Sequence, residues 1–175
     1  MITMGKPMGN GIPISGLAAK EDVLAAFSDK LPYFNTFGGN PVSIAAAQAV
    51  LKYIKDENLQ EHCKKAGAAL LKALKEVQER HPESVGDVRG AGLFLGFEFV
   101  KNDGNKTPDK DMALNVIEML RDEHILTSVI GHYGNILKLR PPMVFSENDI
   151  DWFATSLDKC ITTVSYTHLT LPTKA

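Results

Sequence analysis

The sequence predicts an α/β fold of the α+β type, in which helices cover one face of a small, largely antiparallel sheet. From about residue 59 to residue 163, the hydrophobic patterns follow the order helix, strand, strand, helix, strand, strand, helix. Polar turns and prolines separate these elements. The hydrophobic fraction of 44% over 175 residues is sufficient for the core of one ordinary domain.

The first 40 residues do not predict a domain of their own. PISGLA, residues 13–18, is expected to form a short strand after a glycine-rich turn, and a helix is expected near residues 21–29. LPYFNTFGGN, residues 31–40, predicts a loop. Because this strand, turn and loop have no predicted partners, we interpret residues 1–40 as the C-terminal remnant of a larger domain.

A connecting helix is expected over residues 41–57, with Pro41 in its first turn and Asn40 as its N-cap. Its sequence, PVSIAAAQAVLKYIK, is apolar on nearly every face. Such a helix is typically buried, or it packs between two bodies of protein.

Residues 58–163 are predicted to form a small C-terminal domain that starts and ends with an amphipathic helix. The first helix has one apolar stripe, composed of Leu59, Cys63, Ala66, Leu70, Leu74 and Val77. The closing helix follows a capping box of Ser146 and Asp149. Its apolar stripe consists of Ile150, Phe153, Leu157 and Ile161.

Four strands and one further helix are expected between these two helices. SVGDVRG and LFLGFEFV predict the first two strands. A helix should run from Thr107-Pro108 to about His124, and strands should follow at residues 125–129 and 136–139.

The last residues, 165–175, do not fit this pattern. SYTHLTLPTKA is threonine-rich and follows a helix that has already run its length. It looks like the translated sequencing-adaptor tail found on some open reading frames, although a genuine β-like extension is the alternative. We favour a non-native tail and leave it out of the fold prediction.

Composition limits the classes of function. A net charge of −2 gives no electrostatic case for binding nucleic acid or an acidic membrane surface. No two of the five histidines have a metal-ligand spacing, so we expect no metal site. Cys63 and Cys160 lie on apolar faces of predicted helices, so buried thiols and a cytoplasmic location are expected.

Lys6 is the first candidate catalytic residue, because it lies in the glycine-rich stretch GKPMGNG. A lysine amine can attack a carbonyl group to form a Schiff base. Neighbouring glycines let the backbone approach a ligand closely. The alternative is an ordinary surface lysine in a flexible turn, and spacing alone favours that alternative.

Two other motifs have competing interpretations. In FNTFGGNP, the Thr36 hydroxyl and the N–H groups near Gly38 and Gly39 suit a phosphate, but plain helix capping is favoured from the residues alone. RGAGLFLG fails as a dinucleotide motif because a strand follows it, so its glycines indicate a tight strand connection. Arg89 is either a site residue or part of a structural ion pair.

Four blocks of sequence together resemble a known family. TMGKPMGNGIP, YFNTFGGNP, RGAGLFLGFEF and LKLRPPMVFSENDID occur in the order and with the gaps of a class-III aminotransferase. This family belongs to the pyridoxal-phosphate enzymes of fold type I. The resemblance covers residues 1 to about 163 of the C-terminal part of such an enzyme. GKPMGNG is most similar to the subgroup of ethanolamine-phosphate and phosphohydroxylysine phospho-lyases.

The resemblance implies roles for two residues. Lys6 would form the Schiff base with pyridoxal 5'-phosphate, and its free amine would shuttle protons at the substrate carbon. Thr36 would reach the cofactor phosphate of a neighbouring subunit, which implies a homodimer with shared active sites. In the family, further cofactor-binding groups precede the lysine, and only five residues precede Lys6. We therefore expect this chain to be an incomplete fragment that is inactive alone.

LKLRPPM departs from the pattern of the family. Many members have an arginine three residues before the first proline, where it grips a substrate carboxylate with two hydrogen bonds. Lys138 occupies this position here, and Arg140 directly precedes Pro141. Lysine does not reproduce the planar fork of arginine, so the pair could instead bind a phosphate. Two solvated strand residues are the alternative.

The favoured function is that of an aminotransferase that moves an amino group from a primary amine to a keto acid. The first alternative is a phospho-lyase that eliminates phosphate from an amino-alcohol phosphate such as phosphoethanolamine. The second alternative belongs to another class: a truncated, non-catalytic fragment or an interaction module.

Overall fold

The computed structural model describes the backbone of residues 1–170 and the side chains of residues 1–166. The chain divides into two compact units. The N-terminal unit comprises Met1–Leu59, and the C-terminal unit begins at Gln60.

The N-terminal unit starts with a two-stranded antiparallel sheet. Strand β1 (Ile2–Met4) pairs with β2 (Gly16–Ala18), and Thr3 lies opposite Leu17. A 3₁₀ helix, Lys6–Gly9, occupies part of the connection. The expectation of a single unpartnered strand was therefore wrong, because β1 provides the partner of the predicted strand.

Two helices complete the N-terminal unit. Helix α1 spans Glu21–Ser28 and α2 spans Pro41–Asp56. The side-chain oxygen of Asn40 accepts hydrogen bonds from the N–H groups of Val42 and Ser43, at 3.0 and 3.2 Å, which confirms the predicted N-cap. None of the residues in α2 is buried in this chain.

The C-terminal unit has the predicted element order. Its elements are α3 (Leu59–Arg80), β3 (Val85–Ala91), β4 (Phe94–Phe99), α4 (Lys110–Asp122), β5 (Ser128–Ile130), β6 (Ile136–Leu139) and α5 (Glu147–Thr170). The strands form one antiparallel sheet in the order β3-β4-β6-β5. The fold class predicted from the sequence is confirmed.

One face of this sheet packs on the three helices. Alternate residues of the central strands, including Phe97 and Leu137, are fully buried against α3, α4 and α5. The stripes predicted for the first and last helices are buried, except that Cys63 is only partly buried. The opposite face of the sheet holds Phe94, Gly96 and Lys138, which are partly or fully exposed.

Helix α4 differs from the prediction at both ends. It starts at Lys110 because the Asp109 carboxylate accepts a hydrogen bond from the Met112 N–H at 2.9 Å. At the other end, His124 adopts a left-handed backbone with φ of +63°, and the Ile125 N–H bonds to the Leu120 carbonyl at 2.8 Å. This Schellman closure uses Ile125, so β5 begins three residues later than expected.

Helix α5 also differs from its prediction. Ser146 and Asp149 form the predicted capping box, in which the Asp149 carboxylate accepts a hydrogen bond from the Ser146 N–H at 2.8 Å. The helix continues to Thr170, past the expected end near residue 163. Residues 165–170 of the proposed tail are therefore helical rather than β-like, and residues 171–175 lie outside the described residues.

The two cysteines are free thiols. Cys160 is buried, and burial raises the pKa of its thiol. Among the described residues, no helix is long and apolar enough to span a bilayer.

Candidate active site

Lys6 begins the 3₁₀ helix and has a left-handed backbone, with φ of +49°. This conformation is uncommon for a residue other than glycine, and it is strained. The Gly5 carbonyl accepts a hydrogen bond from the Met8 N–H at 3.3 Å, and the Pro7 carbonyl accepts one from Asn10 at 3.0 Å. The local hydrogen bonds therefore fix the turn around Lys6.

The glycine that ends this turn is favoured by packing. A Cβ atom on Gly9 would lie 2.9 Å from the Cγ2 atom of Ile14, which is too close. Gly9 is buried, whereas Lys6 is exposed. The stretch is thus an ordered turn and not a flexible one, but the described residues do not provide the partial desolvation that a reactive lysine needs.

Thr36 lies in the exposed segment before α2. The side-chain oxygen of Asn35 accepts hydrogen bonds from the N–H groups of Phe37 and Gly38, at 3.1 and 2.9 Å. The side-chain oxygen of Asn40 accepts hydrogen bonds from the N–H groups of Val42 and Ser43 in the first turn of α2. The capping interpretation of FNTFGGNP is therefore supported for the backbone, and the Thr36 hydroxyl is the remaining candidate for a phosphate.

Lys138 and Arg140 lie close together on the C-terminal unit. Lys138 is in β6, opposite Gly96 of β4 and Ser128 of β5. Since Leu137 and Leu139 point into the core, Lys138 belongs to the outer face of the sheet. The guanidinium carbon of Arg140, just past the end of β6, lies 5.8 Å from the centre of the Phe94 ring.

These two cationic residues also line an open cavity of about 520 Å³. Apolar side chains including Leu126, Phe145 and Trp152 contribute to its wall. The cavity is open to solvent, and its lining is mostly apolar with a few polar groups.

Arg89 is held by two carboxylates on the outer face. Its Nη1 atom donates to Glu98 and to Asp87, each at 2.6 Å. These hydrogen bonds raise the pKa of the Arg89 guanidinium, and the one to Glu98 contributes most. The ion-pair interpretation of Arg89 is therefore supported over a direct role at a site.

The following glycines close the hairpin between β3 and β4, as predicted. A Cβ atom on Gly90, which has a φ of +149°, would lie 2.3 Å from the Phe94 carbonyl oxygen. Only glycine fits this close approach.

Sequence reasoning missed Gly96 and Phe94 as neighbours of the cationic pair. Gly96 lies opposite Lys138 on the neighbouring strand, and the Phe94 ring lies beside Arg140. A glycine inside a strand is a signal of a close approach or of open space. Its partner could not be read from the sequence, because Gly96 and Lys138 are 42 positions apart and only the register of β4 and β6 brings them together.

The residues of the N-terminal unit fit an aldehyde cofactor that carries a phosphate. Lys6 offers an exposed primary amine on a turn fixed by hydrogen bonds, and Thr36 offers an exposed hydroxyl. The fit is partial, because these two groups are only part of what such a cofactor requires.

Comparison with known proteins identifies the family. The model of the class-III aminotransferase family matches residues 1–161, and the chain belongs to this family. Its members are pyridoxal-phosphate-dependent aminotransferases and lyases. The solved structures that resemble this chain are pyridoxal-phosphate enzymes of fold type I.

Two curated relatives illustrate the range of reactions. The chain is 45% identical over 163 residues to ethanolamine-phosphate phospho-lyase homolog 1 of Caenorhabditis elegans, and this match covers 93% of the chain and 35% of the relative. It is 38% identical over 177 residues to the alanine–glyoxylate aminotransferase 2-like protein of Drosophila melanogaster, covering 100% of the chain and 36% of the relative.

Two solved structures share the fold at substantial identity. An Arthrobacter phospholyase in complex with phosphoethanolamine superposes with a TM-score of 0.87 and 38% identity, over 97% of this chain and 38% of that one. A Bacillus anthracis aminotransferase gives a TM-score of 0.83 and 34% identity, over 92% and 38% of the two chains. The chain thus spans just over a third of the length of these relatives.

Proposed function

We propose that the full-length protein is a pyridoxal-phosphate-dependent phospho-lyase that eliminates phosphate from an amino-alcohol phosphate such as phosphoethanolamine. The observation that carries this proposal is the Lys138–Arg140 pair, which lies on the outer face of the sheet beside Gly96 and Phe94. Similarity to the C. elegans and Arthrobacter phospho-lyases supports the proposal.

The chemistry of the pair favours phosphate over carboxylate. A phosphate monoester carries between one and two negative charges near neutral pH and presents several acceptor oxygens. Two separate cationic groups can bind different oxygens of such a group, and lysine binds phosphate well as a point charge. A carboxylate is best matched by the planar fork of one arginine, which Lys138 does not supply.

Each candidate residue has a proposed role. Lys6 would hold the cofactor through Nζ, and its free amine would remove a proton from the substrate carbon next to nitrogen. Bound pyridoxal phosphate supplies an electron sink for the charge left on that carbon. The Thr36 hydroxyl would donate a hydrogen bond to the cofactor phosphate of a neighbouring subunit, so a homodimer with shared sites is part of the proposal.

The proposed reaction balances with one molecule of water. The C–H bond next to nitrogen breaks first, and the C–O bond to phosphate then breaks, so that phosphate leaves with the electron pair. Hydrolysis of the remaining two-carbon unit gives acetaldehyde and ammonia. Lys138 and Arg140 would stabilise the departing phosphate through their positive charge.

An aminotransferase is the second candidate, because the chain is also 38% identical to the Drosophila aminotransferase-like protein. Both reactions share the proton removal at the amine carbon and diverge afterwards. A free-standing interaction module is less well supported, since α2 exposes apolar side chains instead of burying them. A cytoplasmic location remains a prediction.

The two reactions are separated by their products. Full-length protein incubated with phosphoethanolamine, and with no keto acid, is expected to release inorganic phosphate and acetaldehyde in equal amounts. Lys6→Ala should lower this rate by a factor of about 10³ or more. Transfer of the amino group to an added keto acid without phosphate release would instead establish the aminotransferase.

A further inference from the structure

The outer face of the sheet has a position without a side chain beside Lys138. Gly96 of β4 lies directly opposite Lys138 of β6, so a side chain on either residue would share the same face. A Cβ placed on Gly96 would lie 3.2 Å from the Cγ2 atom of Ile136, which is a tight contact. Apart from its chain neighbours, it would meet no other atom within 4 Å in the part of the chain that the structure describes. The space above Gly96 is therefore bordered by Ile136 on one side and open towards the Lys138 side chain.

Phe94 borders the same space two residues earlier on β4. It shares the face of Gly96, and 58% of its surface is exposed. Its ring lies 5.8 Å from the Arg140 guanidinium carbon, within the range of a cation–π contact. Phe94 thereby orients a long and otherwise exposed cation towards one side of the Gly96 position.

The other side of Gly96 is bordered by an ion-pair network. Arg89 of β3 lies opposite Gly96, and its Nη1 atom donates to both Asp87 and Glu98. Because the two carboxylates outnumber the single Arg89 guanidinium, this side carries a net negative charge and does not attract an anion. An anionic group above Gly96 is drawn instead towards Lys138 and Arg140.

We propose that Gly96 and Phe94 determine specificity for a phosphorylated substrate. Gly96 leaves room for the phosphate oxygens beside Lys138, and Phe94 positions Arg140 at the edge of that space. This inference rests on the proposed function, because it assigns the phosphate of the substrate to the Lys138–Arg140 pair.

Substitutions at both positions test the proposal in the full-length enzyme. Gly96→Ala should raise the KM for phosphoethanolamine about tenfold and change kcat less than twofold, since it fills the phosphate space without touching the reacting carbon. Phe94→Leu removes the ring and should raise KM about threefold, as expected for an exposed cation–π contact. Phe94→Tyr keeps the ring and should restore a KM close to that of the wild type.

Two controls separate local filling from damage to the fold. Gly96→Ala combined with Ile136→Ala removes the crowding at the Ile136 Cγ2 methyl group, and its KM should stay raised. Arg121→Gln removes a cation that pairs with Glu118 and Asp122 on α4, and it should leave KM unchanged. The cofactor absorbance of each variant reports whether the Lys6 site is intact.

The outcomes distinguish this inference from the function on which it rests. If the wild-type enzyme releases no phosphate from phosphoethanolamine, both proposals are wrong. If the wild type releases phosphate but Gly96→Ala and Phe94→Leu keep the wild-type KM, only this inference is wrong. Recovery of the wild-type KM in the Gly96→Ala/Ile136→Ala double variant would also contradict it, because crowding alone would then explain the effect.

Discussion

The strained backbone of Lys6 is informative at the scale of single residues. A left-handed conformation costs a non-glycine residue on the order of 1 kcal/mol. The hydrogen bonds donated by Met8 and Asn10 hold the turn in spite of this cost. Strain of this kind is concentrated at functional sites, which agrees with the role proposed for Lys6.

Gly67 makes a contact that no other residue can make. A Cβ atom at this position in α3 would lie 2.2 Å from the carbonyl oxygen of Gly92, in the turn between β3 and β4. Because the clash would be with backbone atoms of Gly92, no flexible side chain could move to relieve it. We expect Gly67→Ala to lower the free energy of unfolding by about 2 kcal/mol, as measured by urea denaturation.

The helix propensity of alanine acts in the opposite direction, which makes the test sharp. Alanine is favoured over glycine inside a helix by about 1 kcal/mol, so propensity alone predicts that Gly67→Ala stabilises the protein. Ala68→Gly, at an exposed position of the same turn, is the matched control and should cost about 1 kcal/mol. A stabilised Gly67→Ala variant would contradict the close contact.

Residue-scale features were predictable where their partners are close in sequence. The Asn40 cap and the Ser146–Asp149 box were predicted correctly, because each depends on residues at most three positions apart. The contact of Phe94 with Arg140 depends on strand register, and the contact of Gly67 with Gly92 depends on helix packing. Neither arrangement has a local signal in the sequence.

At the scale of elements, an ionic cluster joins the end of α3 to the middle of α5. The Asp158 carboxylate lies 2.7 Å from Nε2 of His81 and accepts a hydrogen bond from Nε of Arg80 at 3.0 Å. Burial acts to raise the pKa of Asp158, but its contacts with Arg80 and His81 prevail and lower it. The cluster therefore ties two helices of the core layer together near their solvent edge.

The lowered pKa of Asp158 makes the stability contributed by this cluster depend on pH. A carboxylate with a lower pKa in the folded state stabilises the protein above its unfolded pKa, and this contribution is lost as the pH falls through the folded value. We expect Asp158→Asn to lower the free energy of unfolding by about 1 kcal/mol at neutral pH. The difference from the wild type should shrink as the pH falls below about 4.

Asp151→Asn is the matched control, since Asp151 is an exposed carboxylate on the same helix. It should change the free energy of unfolding by less than about 0.5 kcal/mol at neutral pH. Denaturation midpoints at several pH values would measure both variants. A gap between wild type and Asp158→Asn that stayed constant down to pH 2 would show that the contact is not ionic.

The types of the long elements were predictable, but some short elements and boundaries were not. Long amphipathic helices such as α3 have strong periodicity, and their burial followed the predicted stripe. Strand β1 has only three residues, and its pairing with β2 gave no local signal. The boundary of β5 moved because the left-handed His124 closes α4, and histidine is a less obvious residue than glycine at that position.

At the scale of the whole molecule, the chain matches only part of the length of its relatives. The chain covers 35% of the C. elegans relative and 38% of the Arthrobacter phospholyase. Lys6 is exposed, and its turn offers few other groups to a cofactor. We therefore expect the isolated chain to bind pyridoxal phosphate weakly and to catalyse no turnover.

Borohydride reduction followed by peptide mass spectrometry measures this directly. Reduction fixes a pyridoxyl group on any lysine that has reacted with the aldehyde. In the isolated chain, Lys6 should be labelled no more than exposed lysines such as Lys65, whereas in the full-length protein Lys6 should be labelled selectively. Efficient and selective labelling of Lys6 in the isolated chain would refute the expectation that it binds weakly.

The exposed apolar side chains of α2 have a practical consequence for handling this polypeptide. Val42, Leu51 and Tyr53 are each more than half exposed along its 16 residues. Exposed apolar side chains of this kind favour association between molecules. We therefore expect a reduced recombinant yield and light scattering that increases with protein concentration. A solubilising fusion partner or a mild detergent is the sensible starting condition for biophysical work.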